Sequence, residues 1–312
     1  MGLTSWPFWA FVLTFAGINA IFVLSLQLQV GDTGLINFGN VAFMAAGAYA
    51  LGLMLANGVP IGWAIPGALL AGAVLGLLLG IPTLRLRADY FAITTIAAGE
   101  ILRFILTNED QTTGGPQGLL GASGPWRDFN RSVLSYFQDH FGWELDRRTP
   151  LLVITWVMAI LIGLFLWYLA RSPWGRVLHA IRENEEAAEA LGKDTFAYKL
   201  QSLAMGGAVG AMAGILYTFF TTTLFPEDFA PIVTFLGFAV LILGGIGSYL
   251  GVLIGSLVIG FLYYGTLLLD LPIDAEKLAP LRLVIIGLII MAFMAFRPQG
   301  ILGKKEELSL DA

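Results

Sequence analysis

The stretch LLVITWVMAILIGLFLWYLA (Leu151–Ala170) runs directly into RSPWGRVLHAIRENEEAAEALGKDTFAYK (Arg171–Lys199), and this junction decides the fold. The first part is 20 residues without a formal charge, enough for a helix to cross about 30 Å of hydrocarbon. The second part changes character at once. Ser172-Pro173 is a helix-start signal, because proline suits the first helical turn. Val177, Ile181, Ala188 and Leu191 then recur on one helical face, with Arg176, Arg182, Glu183, Glu185, Glu186 and Glu189 over much of the remainder. Gly192 stands where a helix ends on a left-handed residue. An amphipathic helix outside the bilayer, held between two crossings, is the expected structure.

Composition carries the same reading to the whole chain. Of 312 residues, 57% are hydrophobic and 12% are charged, where a soluble domain is about a quarter charged. A soluble enzyme, a nucleic-acid binder and a disordered chain are excluded. The 38 glycines show no Gly-X-Y period, so they serve membrane helices, where glycine lets backbones approach. There is no cysteine, hence no disulfide framework and no thiolate metal site. Residues 1–312 read as one transmembrane domain. The opening Met-Gly-Leu-Thr-Ser-Trp lacks a basic region, so the first apolar run is read as a retained span rather than a cleaved signal.

Nine spans are expected: Trp6–Leu28, Leu35–Ala56, Ile61–Ile81, Asp89–Leu106, Leu151–Ala170, Leu200–Leu224, Ile232–Gly247, Leu250–Leu269 and Leu281–Phe296. The two between 232 and 269 are nearly continuous, and Gly244-Gly245-Ile246-Gly247-Ser248 supplies the turn. Ten Lys and Arg (85, 87, 171, 176, 182, 193, 199, 297, 304 and 305) fall on one side, against six (127, 131, 147, 148, 277 and 282) on the other. The positive-inside rule puts the first set, with residues 171–199 and the C-terminus, in the cytoplasm. The acidic segment 225–231 is then external. Residues 31–40, polar and glycine-rich between apolar runs, read either as a short loop or as a broken helix buried in the bundle, where unpaired backbone can line a cavity. Such a break shifts the span count, giving a range of eight to ten. Glycines four apart, Gly72/Gly76/Gly80, Gly206/Gly210/Gly214 and Gly251/Gly255, predict close helix contacts. The outer loop, residues 107–150, carries a helical pattern over Ser132–Phe141, read as a cap over the outer mouth or a docking surface.

Further strings bear a resemblance. Glu186-Ala187-Ala188, followed after three residues by Gly192, matches the first half of the EAA loop of ABC-importer permeases, though Ser202 replaces the Ile of its second half and no Leu-Pro follows. Residues 34–43 through Gly47-Ala48-Tyr49, residues 84–93 with 99–103, Thr113–Gly118, Gly244–Ser248 and Phe296–Gly300 together resemble the M-subunit type of branched-chain amino-acid ABC-transporter permeases, over about residues 20–303. The resemblance implies a type II importer-like fold in a bacterial or archaeal plasma membrane. It implies a second, similar permease, two cytoplasmic ATPases holding ATP and magnesium, and a periplasmic or lipid-anchored binding protein. It also implies that residues 176–192 meet an ATPase, with Arg176, Arg182, Glu183, Glu186, Ala187, Ala188 and Gly192 as the contact set. Relatives of this kind also carry urea, amides or sugars, so the cargo stays open among them.

The residues add one independent point. No Gly-x-x-x-x-Gly-Lys-Ser/Thr loop occurs, since Gly192-Lys193 has Ala187 and Asp194 at the deciding positions. The chain shows no means of hydrolysing ATP, so the energy comes from a partner or from an ion gradient. It is expected to be no enzyme, to bind no cofactor or metal of its own, and to need no nucleic acid. Charge in hydrocarbon costs roughly 2.5–3.5 kcal/mol on insertion scales, so Glu100 and Arg103, at i and i+3, read as a self-neutralising pair or as pathway lining. Asn37, Asn40, Thr94 and Thr95 are further pathway candidates. His140 and His179 show no matched acid in the sequence. A lone ion-coupled transporter or channel, using residues 31–40 and the Glu100/Arg103 pair, is the competing class, and a non-transporting scaffold the third.

Overall fold

The computed structural model describes residues 5–143 and 145–265, with isolated positions between 281 and 302. The expected span Leu281–Phe296 lies largely outside the described residues. In chain order the helices are α1 (Trp6–Leu26), continued by a π-helical segment (Gln27–Asp32), α2 (Val41–Ala56), α3 (Ile61–Thr83), α4 (Ala88–Asn108) and the short α5 (Asp110–Thr113). There follow α6 (Gly124–Phe141), α7 (Thr149–Ala170), α8 (Pro173–Glu183), α9 (Glu185–Ala190), α10 (Thr195–Phe220), α11 (Ile232–Gly244) and α12 (Tyr249–Gly265). A two-stranded antiparallel ribbon joins β1 (Leu119–Leu120) to β2 (Thr223–Leu224). The all-α expectation missed this ribbon, because two residues leave no periodicity to read.

Among the described residues five helices are long and apolar enough to cross a membrane alone, and α11 with α12 form a pair bent by 120° at the expected glycine turn. Helices apolar all round satisfy their own backbone and need neighbours or lipid on every side. The neighbours are unequally shared. The first span (Trp6–Asp32) and α10 are mostly enclosed, whereas α3, α4 and α7 turn most of their surface outward. Large exposed apolar side chains, such as Leu70, Leu78, Ile93, Phe104, Leu164 and Tyr168, lie on that outer ring.

Alpha-helix 10 holds the bundle together by close approach. Gly207 faces Gly72 of α3 so tightly that a Cβ on either would overlap the other's carbonyl, and a Cβ on Gly214 would overlap the Met44 carbonyl of α2. Small residues are placed where backbones touch, as in membrane helix packing generally. Trp126 of α6 stacks on Phe219 of α10 with ring centroids 5.0 Å apart, so the 107–150 loop folds down over the end of the bundle. Its helix starts at Gly124, eight residues ahead of the expected Ser132.

The segment between the first two spans is a buried break. The α-helical register of α1 loosens into the π turn at Gln27–Asp32, and residues 33–40 run without regular helix before α2 starts at Val41, six residues later than expected. Asp32, Thr33, Asn37 and Asn40 are nonetheless almost wholly buried. A π turn interrupting a helix is a frequent mark of a functional position.

Candidate functional site

The loop 171–199, expected from its charges to face the cytoplasm, lies against this break. Ser172 caps α8 by accepting from the Gly175 N–H, and Pro173 occupies the first turn, as the sequence implied. One continuous helix does not form. Asn184 takes an extended conformation, ends α8 and caps α9 with its side chain accepting from the Ala187 N–H at 2.9 Å. Asparagine at such a position gives the backbone a local alternative to helix, and the chain turns there. The expected apolar face is therefore only partly realised. Ile181 and Ala188 are buried against the bundle, Val177 is half-buried with its neighbour Leu178 buried in its stead, and Leu191 is 81% exposed. Gly192 does hold the left-handed conformation, with φ +79°.

Two anchors bind this loop inward. His179 meets the Asp32 carboxylate, Nε2 to Oδ1 3.2 Å, and Arg182 donates to the Gly31 carbonyl. Tyr249, at the start of α12, donates to the other Asp32 oxygen. The break in the first span, α8 and the bent pair thus meet on one buried carboxylate. A cavity of about 390 Å³ opens beside it, bounded by Asp32, His179, Arg182, Glu183 and Tyr249 among others. The second anchor lies in α9, where Glu185 pairs with Lys199 and Glu189 accepts from Thr195 at 2.6 Å, both partners being on α10. Arg176, Glu183, Glu186, Ala187 and Gly192 are left on the exposed side. Arg182 and Ala188, expected in the same contact set, turn toward the bundle.

Deeper in, the break is filled by a polar network. Gln29 donates to the Asn40 oxygen at 2.8 Å and to the Ser25 hydroxyl at 3.1 Å. Asn37 donates to the Gln29 side-chain oxygen Oε1 at 2.8 Å, and the Gly39 N–H donates to the Asn37 side-chain oxygen at 2.9 Å. Thr33 and Ser202 of α10 share a hydroxyl contact of 2.6 Å. The network is incomplete, for the amide nitrogens of Gln27 and Asn40 are buried without a partner among the described residues. Buried polar groups left open cost about 1–3 kcal/mol each, which marks this layer as one that water or a moving element can satisfy.

The remaining candidates sit on α4. Arg103 grips Glu100 with two nitrogens, the shorter contact being 2.7 Å, and reaches Glu227 at 2.7 Å. The pair expected from i,i+3 spacing is thus a triad that ties α4 to the segment 226–229. Thr95 is buried and returns its hydroxyl to the Ala92 carbonyl, while Thr94 is half-buried one residue away. Asn37 and Asn40 share one network; Thr94, Thr95 and the Glu100/Arg103 pair do not join it. Tyr249, Ser25 and Gln29 escaped the sequence reading, Asp32 entered it only as part of residues 31–40, and His179 was left there without a partner. One signal was available, since Asp32 is the only formal side-chain charge before Arg85. Among the described residues no three His, Asp or Glu side chains gather closely enough to hold a metal ion.

Known proteins resemble this chain along most of its length. The high-affinity branched-chain amino acid transport system permease protein LivM of Salmonella typhimurium is 32% identical over 96% of this chain and 72% of its own length. A probable branched-chain amino acid transport permease protein LivM of Methanocaldococcus jannaschii is 29% identical over 94% of this chain and 93% of its own. The ribose import permease protein RbsC of Haemophilus influenzae is 25% identical over 89% of this chain and 83% of its own. No solved structure matches. The family described as branched-chain amino acid transport system / permease component matches residues 8–294, and with its bundle of apolar spans around a polar break the chain belongs to that family of multi-pass membrane permeases.

Proposed function

We propose that this chain is one of two permease subunits of an ATP-driven importer in a bacterial or archaeal plasma membrane, with its C-terminus in the cytoplasm. Two cytoplasmic ATPases hydrolyse ATP with magnesium and act on the α8–α9 loop. A periplasmic or lipid-anchored binding protein delivers the cargo on the other side. The cargo is a branched-chain amino acid, a reading supported by the names of the relatives that match most of the chain. The chain itself holds no cofactor.

The observation that carries the mechanism is the two-sided loop. Its outward side offers Arg176, Glu183, Glu186, Ala187 and Gly192 to a docking partner. Its inward side is fastened to the break through His179–Asp32 and Arg182–Gly31, to α12 through Tyr249–Asp32, and to α10 through Glu185–Lys199. A push on the outer side is therefore delivered to three spans at once, as a rigid-body shift of packed elements. The Asn37/Asn40 layer and the α4 face with Thr94, Thr95, Glu100 and Arg103 border the path the cargo takes. The test is uptake in proteoliposomes. The complex with ATPases and binding protein accumulates radiolabelled leucine when ATP is supplied, and excess isoleucine or valine competes. Competition by ribose or urea, and not by these amino acids, replaces the cargo. Uptake by this chain alone, driven by an ion gradient, overturns the importer reading.

A further inference from the structure

On the external side lies a second cavity, of about 330 Å³, between α1, α2, α10, α11 and α12. That size falls in the range of small-molecule pockets, about 300–1,000 Å³. Its walls are largely apolar, with Phe15, Ile18, Met44 and Leu236 among them. Two features are not apolar, and both are unexpected in a surface that only packs against lipid. Asn19 stands on the wall in the middle of α1, and its amide has no hydrogen bond to any described residue. A polar side chain in such a helix ordinarily faces protein, water or a ligand. The rim carries Glu227 and Asp228. Glu227 is already matched by Arg103. Asp228 accepts from the Phe225 N–H at 3.3 Å and from the Tyr217 hydroxyl, and no described Lys or Arg pairs with it. Burial pushes its carboxyl above the ordinary value against both of those bonds, so a cation entering the cavity meets an acid with no counter-charge among the described residues.

We infer that this cavity seats the amino acid inside the permease, with the ammonium group on Asp228 and the branched side chain against Phe15, Ile18, Met44 and Leu236. It rests on the cargo reading given above and adds where and how the cargo is held. A leucine-like zwitterion is an ammonium, a carboxylate and a compact apolar tail, and the cavity offers in one place an apolar wall, with an acid and an amide that are unmatched among the described residues. A neutral sugar brings neither a cation for the acid nor a compact apolar tail for the wall, and an anion is repelled by the acid.

The test uses the assembled complex in proteoliposomes with photo-leucine, whose side chain carries a diazirine, delivered by the binding protein. Illumination labels peptides of α1 and α11 that hold Phe15, Ile18 and Leu236. Asp228→Asn cuts both the labelling and the uptake rate at a fixed concentration of loaded binding protein by about tenfold, the scale of a lost hydrogen bond to a charged group, and Asp228→Glu restores much of both. Leu236→Trp, which fills the cavity, abolishes labelling and slows uptake even if Asp228→Asn fails to assemble. Label confined to other helices, or Asp228→Asn and Leu236→Trp complexes that carry leucine at the unmodified rate, overturns the assignment. Those results leave uptake by the unmodified complex intact. A complex that never accumulates leucine instead removes the cargo reading, and the seat with it.

Discussion

Asp32 receives a histidine from α8 and a tyrosine from α12, partners 147 and 217 positions away in the chain. That distance explains why the residue stood out in the sequence and its role did not. A lone acid in an apolar stretch signals that something must compensate it, since an uncompensated charge there is costly. Spacing rules reach only three or four residues along a helix. The same limit separates Glu100–Arg103, legible as a pair, from Glu227, which joins it from 124 positions on. The Asp32 hub makes a definite prediction. His179→Ala removes the helix-side ligand of the carboxylate while leaving Tyr249 in place. Loss of one hydrogen bond to a charged group is worth roughly 1.5–3 kcal/mol. The expected outcome is about a tenfold fall in leucine carried per ATP hydrolysed, read by parallel uptake and phosphate-release assays, and Asp32→Asn reproduces it. Equal transport per ATP in all three proteins removes the hub from the coupling route.

At the scale of elements, the sequence was read correctly wherever one local rule acted without competition. Ser172-Pro173 starts a helix, Gly192 ends one, and the glycine turn at 244–248 bends the α11–α12 pair. The reading slipped where a cap interrupted a plausible periodicity, as Asn184 does between α8 and α9. Two short helices at an angle fit a pocket differently from one long rod, so the break is itself a target. Asn184→Ala removes a cap worth about 1 kcal/mol and favours a continuous helix. ATPases then co-purify less well, as measured by the subunit ratio after pull-down from membranes. Gly192→Pro acts harder. Proline fixes φ near −65° and has no N–H, whereas Gly192 needs φ +79° and donates to the Glu189 carbonyl at 2.8 Å. ATP hydrolysis continues and uptake falls below detection. Glu186→Lys, at an exposed site, produces the same uncoupling without disturbing the fold. Unchanged uptake in both variants rules out α8–α9 as the docking element.

For the whole molecule, hydropathy located the spans but not their order of enclosure. All the spanning helices are apolar, so nothing in composition says that the first span and α10 sit inside while α3, α4 and α7 ring them. The glycine spacing came nearest to saying so, because residues four apart on one helix promise a partner at close range. It could not say that Gly207, outside the expected ladder of 206, 210 and 214, is the one that meets α3. This contact decides how the bundle moves. Helices in backbone contact slide only together, so a displacement delivered to α10 from Glu185 and Glu189 is carried to α3 and α2 rather than absorbed by side chains. A methyl group at Gly207 meets the Gly72 carbonyl, and one at Gly214 meets the Met44 carbonyl; neither obstacle is a flexible side chain that can swing aside. Overpacking of this kind costs typically 1–3 kcal/mol. Gly207→Ala and Gly214→Ala are therefore each expected to lower the thermal midpoint of the purified permease by several degrees, and the double variant by about the sum, read by the loss of monodisperse protein on heating in detergent. Gly62→Ala, where a Cβ meets open space, is the matched control and leaves the midpoint unchanged. Equal midpoints for all of these proteins contradict a bundle organised around backbone contact at α10, and with it the transmission of the loop's movement through that helix.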